Sequence, residues 1–297
     1  MPNLRDITRN FATAVREPRH IFNCISYHIS KLLHNGNAFL RISPDVKIGF
    51  FLNYSEYASM KDNIEPGELA FLEEYPLPDG DIIDIGANIG TISILLARRY
   101  PSRNIHSFEP NPHTLTALNN NIRMNSCTNI AVAPIAASDK TGTVSFLYNN
   151  GSRATARLHP EGSAASLQVR TISIDEYCLE RNITTVAFLK IDVEGHEAQV
   201  LNGAARILTS ARPPTVYYEV CPGCCDMTNT DPMAATNLLI NNGYIIHTLS
   251  THGKLIQLDS PDVNGLVFAN WVAIHPRNFQ RIVCNGTGHS LQFSSKS

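Results

Sequence analysis

Two acidic motifs in this chain combine residue types that can hold a polar ligand and move a proton. The first, DIGANIG, spans residues 84–90 at the end of an apolar, strand-like run. The second, KIDVEGHE, spans residues 190–197 and ends the most apolar run in the chain. Because the carboxyl ends of parallel strands meet at one edge of a sheet, both motifs are predicted to serve one ligand site.

The glycine positions of the first motif narrow the kind of ligand. Gly86 allows a tight turn and close approach of the backbone, and Gly90 allows a helix to pack closely on the sheet. A dinucleotide site needs a further glycine between them so that the backbone can approach the pyrophosphate, and here that position is Asn88. A Walker loop needs Gly-Lys-Ser/Thr, whereas Gly90 is followed by Thr91 without a lysine. The motif therefore disfavours a phosphate cradle.

Two carboxylates that flank this turn suit a different ligand. Asp84 would repel a pyrophosphate but can face a cationic amino-acid group. Glu109 ends the next strand-like run, where an acid can accept hydrogen bonds from both ribose hydroxyls of an adenosine-containing ligand. S-adenosylmethionine carries an ammonium, a sulfonium and no phosphate, so the pattern predicts a site for it. A lone glycine turn would be weak evidence without these two acids.

The second motif supplies groups that can take a proton. Asp192, Glu194 and His196 lie within five residues, and carboxylates and neutral imidazole act as bases near pH 7. The alternative is a solvated helix start, where acids interact favourably with the helix dipole. We expect Glu197 to have only that role, and we predict functional roles for Asp192 and His196 because both fall at the ligand-binding edge.

The elements that must position these groups alternate between strand and helix patterns. This alternation predicts an α/β fold with a mostly parallel sheet and helices on both faces. The predicted strands are 46–52, 82–85, 105–108, 129–134, 143–148, 167–172, 186–191, 215–220, 244–249 and 266–274. The predicted helices are 21–33, 67–75, 89–99, one that begins at Asn111-Pro112, a short one capped by Ser173, 197–208 and 232–242.

One segment of the chain is predicted to be irregular. Residues 149–165 are polar, basic and rich in glycine and serine, which predicts a mobile loop with a functional role. Within it, Arg153 and Arg157 are expected either to pair with an acidic acceptor or to be solvated surface residues.

Composition excludes several classes of protein. The formal net charge of -2 is too small for a nucleic-acid surface, and no apolar run is long enough to span a membrane. The N-terminus lacks the order of a signal peptide, so we expect a cytoplasmic protein, with a transit peptide as the alternative. Most of the 7 cysteines are expected to be reduced thiols. The CPGCC cluster of Cys221, Cys224 and Cys225 resembles half of a metal site but lacks a second ligand pair with the usual spacing.

The order of several motifs over residues 65–276 resembles the FkbM-type methyltransferases. These motifs are DIGANIG, SFEPNP, AASDKTG, LKIDVEGHEAQVLNGA, YYEV and NWVAIHP. The resemblance implies a seven-stranded, Rossmann-like, mostly parallel sheet whose last strand is antiparallel. It also implies S-adenosylmethionine as methyl donor and O-methylation of a hydroxyl on a sugar or secondary metabolite. We expect residues 1–60 to be a helical and strand-containing extension, 61–276 the methyltransferase domain and 277–297 a tail.

The resemblance also implies roles for individual residues. The methionine end of the cofactor would be held by Asp84, Gly86, Ala87, Asn88 and Gly90. Glu109 would bind the ribose, Pro110 and Asn111 would lie beside the adenine, and Ala137, Ser138 and Asp139 would approach the adenine ring. Asp192, Glu194 and His196 would face the reacting methyl group, with Asp192 also contacting the cofactor.

The chemistry implied is an in-line displacement in which a base assists the acceptor hydroxyl. His196 is the leading candidate base, and Asp192 either orients it or takes the proton itself. No metal ion is predicted; the alternative is a divalent ion held by Asp192, Glu194 or Glu219. The expected acceptor is a small-molecule or glycan hydroxyl. A dehydrogenase-like nucleotide enzyme and a catalytically silent relative that binds cofactor or a partner are the alternative function classes.

Overall fold

The computed structural model describes residues 18–149, 152–159 and 166–278. The strands are β1 (Phe39–Ser43), β2 (Val46–Gly49), β3 (Asp81–Ile85), β4 (Ile105–Phe108), β5 (Ile130–Ala133), β6 (Ala136–Ala137), β7 (Gly142–Asn149), β8 (Ser152–His159), β9 (Ser166–Ile172), β10 (Val186–Ile191), β11 (Thr215–Val220), β12 (Ile245–Leu249), β13 (Leu255–Gln257) and β14 (Ala269–Ile274). The helices are α1 (Pro18–Leu33), α2 (Tyr54–Asn63), α3 (Pro66–Glu74), α4 (Thr91–Arg99), α5 (Pro112–Met124), α6 (Ile174–Glu180), α7 (Glu197–Asn202), α8 (Ala205–Leu208), α9 (Pro222–Thr228) and α10 (Ala234–Asn241).

The main sheet has the strand order β13-β12-β14-β11-β10-β3-β4-β5. The strands from β11 to β5 are parallel, and β14 is antiparallel to both of its neighbours, β11 and β12. This arrangement confirms the predicted Rossmann-like sheet with an antiparallel last strand. The short edge strand β13 is an eighth strand that the sequence analysis did not predict.

Both faces of the sheet are buried, as parallel sheets require. Alternate residues of β3 show this directly: Ile83 and Ile85 pack into one hydrophobic cluster, while Ile82 packs into a second cluster on the other face. Likewise Leu189 of β10 belongs to the first cluster and Phe188 to the second. Continuous apolar strands therefore leave the carboxyl ends of the strands as the place for polar side chains.

The predicted start of α5 is confirmed by its capping contacts. Asn111 Oδ1 accepts a hydrogen bond from His113 N at 3.0 Å, and Pro112 occupies the first helical position. This cap fixes the direction of the chain immediately after Glu109. The predicted helix 197–208, in contrast, is wrong as a single element. It is interrupted between Asn202 and Ala205, where Gly203, a poor helix former, ends α7.

The predicted loop 149–165 is also wrong in part. Residues 152–159, which include Arg153 and Arg157, form β8 and pair antiparallel with β7. The small second sheet has the order β6-β9-β7-β8. Pairing with β7 supplies backbone hydrogen bonds that a polar composition does not reveal. Residues 150, 151 and 160–165 of the predicted loop lie outside the described residues.

The N-terminal elements pack on the same body as the main sheet. In β2, Gly49 N donates to Asn121 Oδ1 of α5 at 2.8 Å, and Lys47 N donates to Asn125 Oδ1 at 2.9 Å. Helix α2 continues through the expected boundary at residues 60/61, and Met60 Sδ lies 3.6 Å from Thr91 Oγ1 at the start of α4. The N-terminal segment therefore reaches the edge of the sheet where the glycine turn lies. None of the helices in the described ranges has the length and apolar character needed to cross a bilayer.

Candidate functional site

A cavity of about 460 Å³ lies at the carboxyl ends of β3, β4, β10 and β11. It is lined by the turn after β3, by residues 108–110 at the end of β4 and by residues 135–137 around β6. Residues of α2, α3 and the segment around Phe268 and Asn270 also line it. Both acidic motifs contribute to its wall, as the parallel-sheet argument predicts.

The glycine turn fits closely against neighbouring elements. Gly86 has φ +74°, and a Cβ there would lie 1.9 Å from Asp192 O. The turn therefore touches the backbone of the second motif and cannot carry a side chain at this point. Gly90 has φ +94°, and a Cβ there would lie 2.6 Å from Leu118 Cδ1 of α5. Gly86 joins the two halves of the site, whereas Gly90 serves helix packing.

Glu109 is held at the cavity by two backbone amides. Its Oε2 accepts from Asn88 N at 3.0 Å and its Oε1 accepts from Asn111 N at 2.8 Å. The side chain is buried, and burial raises its pKa to about 7, although both amide contacts act to lower it. Asn88 Oδ1 is buried without a hydrogen-bond partner and also lines the cavity. The cavity thus offers acceptor oxygens that a ligand with hydroxyl or ammonium donors can satisfy.

Lys190 lines the cavity and connects the two acidic motifs. Its ammonium lies 3.3 Å from Asp84 Oδ1 and 3.5 Å from Asp192 Oδ2, and it donates to Gly86 O at 2.7 Å. Burial acts to lower the pKa of Lys190, but the two carboxylates raise it above its usual range. The sequence analysis gave Lys190 no role, although a lysine inside an apolar strand needs charged partners.

The ionic contact with Lys190 determines where Asp84 lies. Asp84 is fully buried, also bonds to Ser93 Oγ, and is not part of the cavity wall. Its carboxylate therefore supports the turn from behind, and it reaches a ligand only indirectly, through Lys190 and the backbone of Gly86.

Three carboxylates of the cavity wall lie close together. Oxygens of Asp192, Glu194 and Glu219 all lie within 4.8 Å of one another. Glu219 Oε2 is buried without a hydrogen-bond partner. Burial and the neighbouring charges of Asp192, Glu194 and Glu197 raise the pKa of Glu219 strongly. Such a group is a stronger base than an ordinary carboxylate, and the cluster is also a set of hard oxygen donors.

His196 lies apart from this cluster. It precedes α7 as the N-cap residue, and it is not among the residues that line the cavity. Its Nδ1 is buried without a hydrogen-bond partner, and burial lowers the pKa of its imidazole. Glu197 accepts hydrogen bonds from Val193 N and Gly195 N, both at 3.2 Å, and so stabilises the loop before α7. Glu197 therefore has a structural role at the start of α7, but it is buried, and the prediction of a solvated helix start is wrong.

The cavity brings together most, though not all, of the predicted site residues. Those that line it are Gly86, Ala87, Asn88, Glu109, Pro110, Ala137, Asp192 and Glu194. Those that do not line it are Asp84, Gly90, Asn111, Ser138, Asp139 and His196. Glu68 and the lining residues of α2 lie outside both acidic motifs and are not predicted from the sequence. Only tertiary packing brings residues so distant in sequence to the second motif.

Helix α3 contributes a carboxylate held by the antiparallel part of the sheet. Glu68 accepts from Asn270 Nδ2, and the hydroxyl of Tyr217 is bonded to the same carboxyl. Burial raises the pKa of Glu68, while both hydrogen bonds act to lower it. Since Asn270 is the register partner of Glu219, Glu68 lies next to the carboxylate cluster.

A disulfide borders the same cluster and is an exception to one expectation. Cys221 and Cys224 are bonded to each other at the start of α9, whereas Cys24, Cys127, Cys178 and Cys225 are free among the described residues. The expectation that most cysteines are free thiols therefore holds for four of the six in the described ranges, and Cys221 and Cys224 are the exception because the first turn of α9 brings their side chains together. Cys224 Sγ lies 3.2 Å from Glu194 Oε2. The CPGCC segment thus packs against the site.

Comparison with known proteins yields a consistent group. The family described as Methyltransferase FkbM domain matches residues 84–246. Hexuronic acid methyltransferase AglP of Haloferax volcanii is 30% identical over 59% of this chain and 67% of its own length. 2-O-methyltransferase NoeI of Sinorhizobium fredii is 25% identical over 46% of this chain and 61% of its own. 31-O-demethyl-FK506 methyltransferase FkbM of Streptomyces tacrolimicus is 26% identical over 43% of this chain and 60% of its own.

Solved structures are more distant than these relatives. The TYW2 protein of M. jannaschii in complex with AdoMet covers 80% of this chain and 84% of its own, with 13% identity and a TM-score of 0.39. The strand order of the main sheet, rather than this weak likeness, defines the fold.

Proposed function

The chain belongs to the FkbM methyltransferase family, and from this premise we propose that it transfers the methyl group of S-adenosylmethionine to a hydroxyl of a sugar or secondary metabolite. S-adenosylmethionine is the cofactor of this family. The alignments with AglP, NoeI and FkbM cover 60% to 67% of the length of those relatives, so the activity of the whole protein is part of the proposal. The names of AglP and NoeI support a sugar or other hydroxyl acceptor.

The observation that carries the proposal is the set of unfilled acceptor oxygens in the cavity. Glu109 has both carboxylate oxygens at the wall, and each is fixed by one amide, which leaves lone pairs for two ribose hydroxyls. The buried, unpartnered Asn88 Oδ1 requires a donor. Gly86 and Ala87 would lie along the methionine end, and Pro110 and Ala137 beside the adenine. When bound, the cofactor supplies the electrophilic methyl group.

The chain itself must orient the acceptor and remove its proton. We propose Glu219 as the proton acceptor, because its raised pKa makes it a strong base and its Oε2 has no other partner. Asp192, next to Lys190, would be the neighbouring charge that keeps Glu219 basic. His196 is less well placed for this role, because it does not line the cavity.

A divalent ion held by Asp192, Glu194 and Glu219 is the mechanistic alternative. The ammonium of Lys190 already provides a positive charge beside Asp192, which reduces the need for a cation. We therefore propose transfer without a metal. Activity that is lost in EDTA and restored by Mg²⁺ would instead support the metal-assisted mechanism.

The proposal is tested in two steps. Calorimetry with the purified protein should show binding of S-adenosylmethionine and none of NAD. Extracts of cells lacking the protein, incubated with it and methyl-labelled cofactor, should then yield a labelled small molecule or glycan whose methyl resists mild alkaline hydrolysis, as an ether does. Binding without any transfer of label would indicate a catalytically silent relative. Label on nitrogen or carbon would contradict O-methylation.

A further inference from the structure

The cavity wall also contains residues other than those predicted to hold the cofactor. We define an acceptor half by Ser55, Glu56, Ser59, Glu68, Glu219 and Asn270, together with apolar side chains such as Met60 and Leu69. Most of these residues come from α2, α3 and β14, outside the matched segment 84–246. A region that differs from the family-wide core is where a specific acceptor would be recognised.

Charge is the clearest property of this cavity. Carboxylates line it at six described positions, namely Glu56, Glu68, Glu109, Asp192, Glu194 and Glu219. Lys190 is the only basic residue among the described lining residues. Its ammonium is already engaged by Asp84, Asp192 and Gly86 O, so it has no free charge to offer an incoming anion.

Glu68 is held in place within the acceptor half by Asn270 Nδ2 and Tyr217 OH, and Asn270 pairs in register with Glu219. Glu219 lies within 4.8 Å of Asp192 and Glu194, and its pKa is raised by burial and by the charges of these neighbours. An acceptor carboxylate placed here would meet the same desolvation and the same charges, without a free cation among the described lining residues to offset them.

We infer that the acceptor half selects a hydroxyl compound that is neutral or cationic near the methylated position and excludes an anionic one. This inference rests on the proposed methyltransferase function and narrows its substrate class. It separates this chain from AglP, which is named for an acidic sugar. Hydroxyls and ammonium groups can donate hydrogen bonds to fixed carboxylates, whereas a carboxylate cannot.

The test uses probes that need no knowledge of the acceptor. In three adenosylhomocysteine analogues, nitrogen replaces the sulfur and carries a short alkyl arm that ends in a hydroxyl, an ammonium or a carboxylate. The arm leaves the cofactor at the atom that donates the methyl group and so enters the acceptor half. Calorimetry should show the carboxylate arm binding at least about tenfold more weakly than the hydroxyl arm, with the ammonium arm equal to or tighter than the hydroxyl.

Two variants of α3 test whether Glu68 causes this discrimination. Glu68→Gln should reduce the ratio of the Kd for the carboxylate arm to the Kd for the hydroxyl arm. Glu73→Gln changes an exposed acid on the same helix and should leave this ratio unchanged. Equal or tighter binding of the carboxylate arm by the unmodified protein would overturn the inference, even if the Glu68 variant fails to fold. If adenosylhomocysteine itself does not bind, the proposed function fails, and this inference fails with it.

Discussion

At the scale of single residues, the site depends on carboxylates whose protonation is set by burial. Glu109 and Glu219 both end strands of the main sheet, and both have raised pKa values because little water reaches them. They differ in their partners, since Glu109 is satisfied by two amides and Glu219 Oε2 by none. The first suits binding and the second suits proton transfer.

We predict that cofactor affinity weakens as the pH falls through the pKa of Glu109. Its pKa is raised to about 7, and only the ionised carboxylate can accept both ribose hydroxyls. Lowering the pH from about 8 to about 6 should therefore raise the Kd for S-adenosylmethionine about tenfold. Calorimetry across this range checks the effect. Glu109→Gln should bind more weakly and lose this part of the pH dependence; an identical pH profile in the variant would contradict the assignment.

Turnover should distinguish the candidate bases. Glu219→Gln is expected to lower kcat by about 100-fold or more, while cofactor affinity is kept, because a positioned base contributes on this order. In the unmodified protein, kcat should rise with pH as Glu219 loses its proton, and its raised pKa moves that rise above the usual range of a carboxyl. His196→Ala is expected to change kcat only slightly. A large loss of kcat in His196→Ala, together with full activity of Glu219→Gln, would instead identify His196 as the base.

At the scale of elements, the turn after β3 and the loop after β10 form one unit. Gly86 contacts the backbone of Asp192, and Lys190 of β10 bonds to Gly86 O and to the carboxylate of Asp84 in β3. These contacts join the turn after β3 to the loop after β10 through adjacent strands. The division of helix 197–208 into α7 and α8 leaves Glu197 at a helix start, where it stabilises the loop that carries Glu194.

Removing the charge of Lys190 should destabilise this unit. Lys190→Met leaves the fully buried Asp84 without its cation, which is expected to cost about 3–5 kcal/mol in the free energy of unfolding. Denaturant titration measures the loss. The double variant Asp84→Asn with Lys190→Met should recover part of it, and Lys140→Met, at an exposed position, serves as control. Additive effects of the two substitutions would show that the pair is not coupled.

At the scale of the whole molecule, the N-terminal segment completes the site. The expected boundary at residues 60/61 falls inside α2, and residues of both α2 and α3 line the cavity. Hydrogen bonds from β2 to Asn121 and Asn125 attach this segment to α5. The residues predicted to bind the cofactor thus come from the segment that matches the family, while most of the residues that we assign to the acceptor half lie outside it.

The sequence by itself determined most of the strands and helices, the Rossmann-like fold and the family. It could do so because apolar strands, helix caps and the glycine turn depend on neighbours close in the chain. The tertiary structure alone decided that Asp84 lies behind the turn with Lys190, that His196 lies outside the cavity wall, and that Glu68 and Glu219 lie within it. These positions depend on packing between distant segments, which local patterns do not encode.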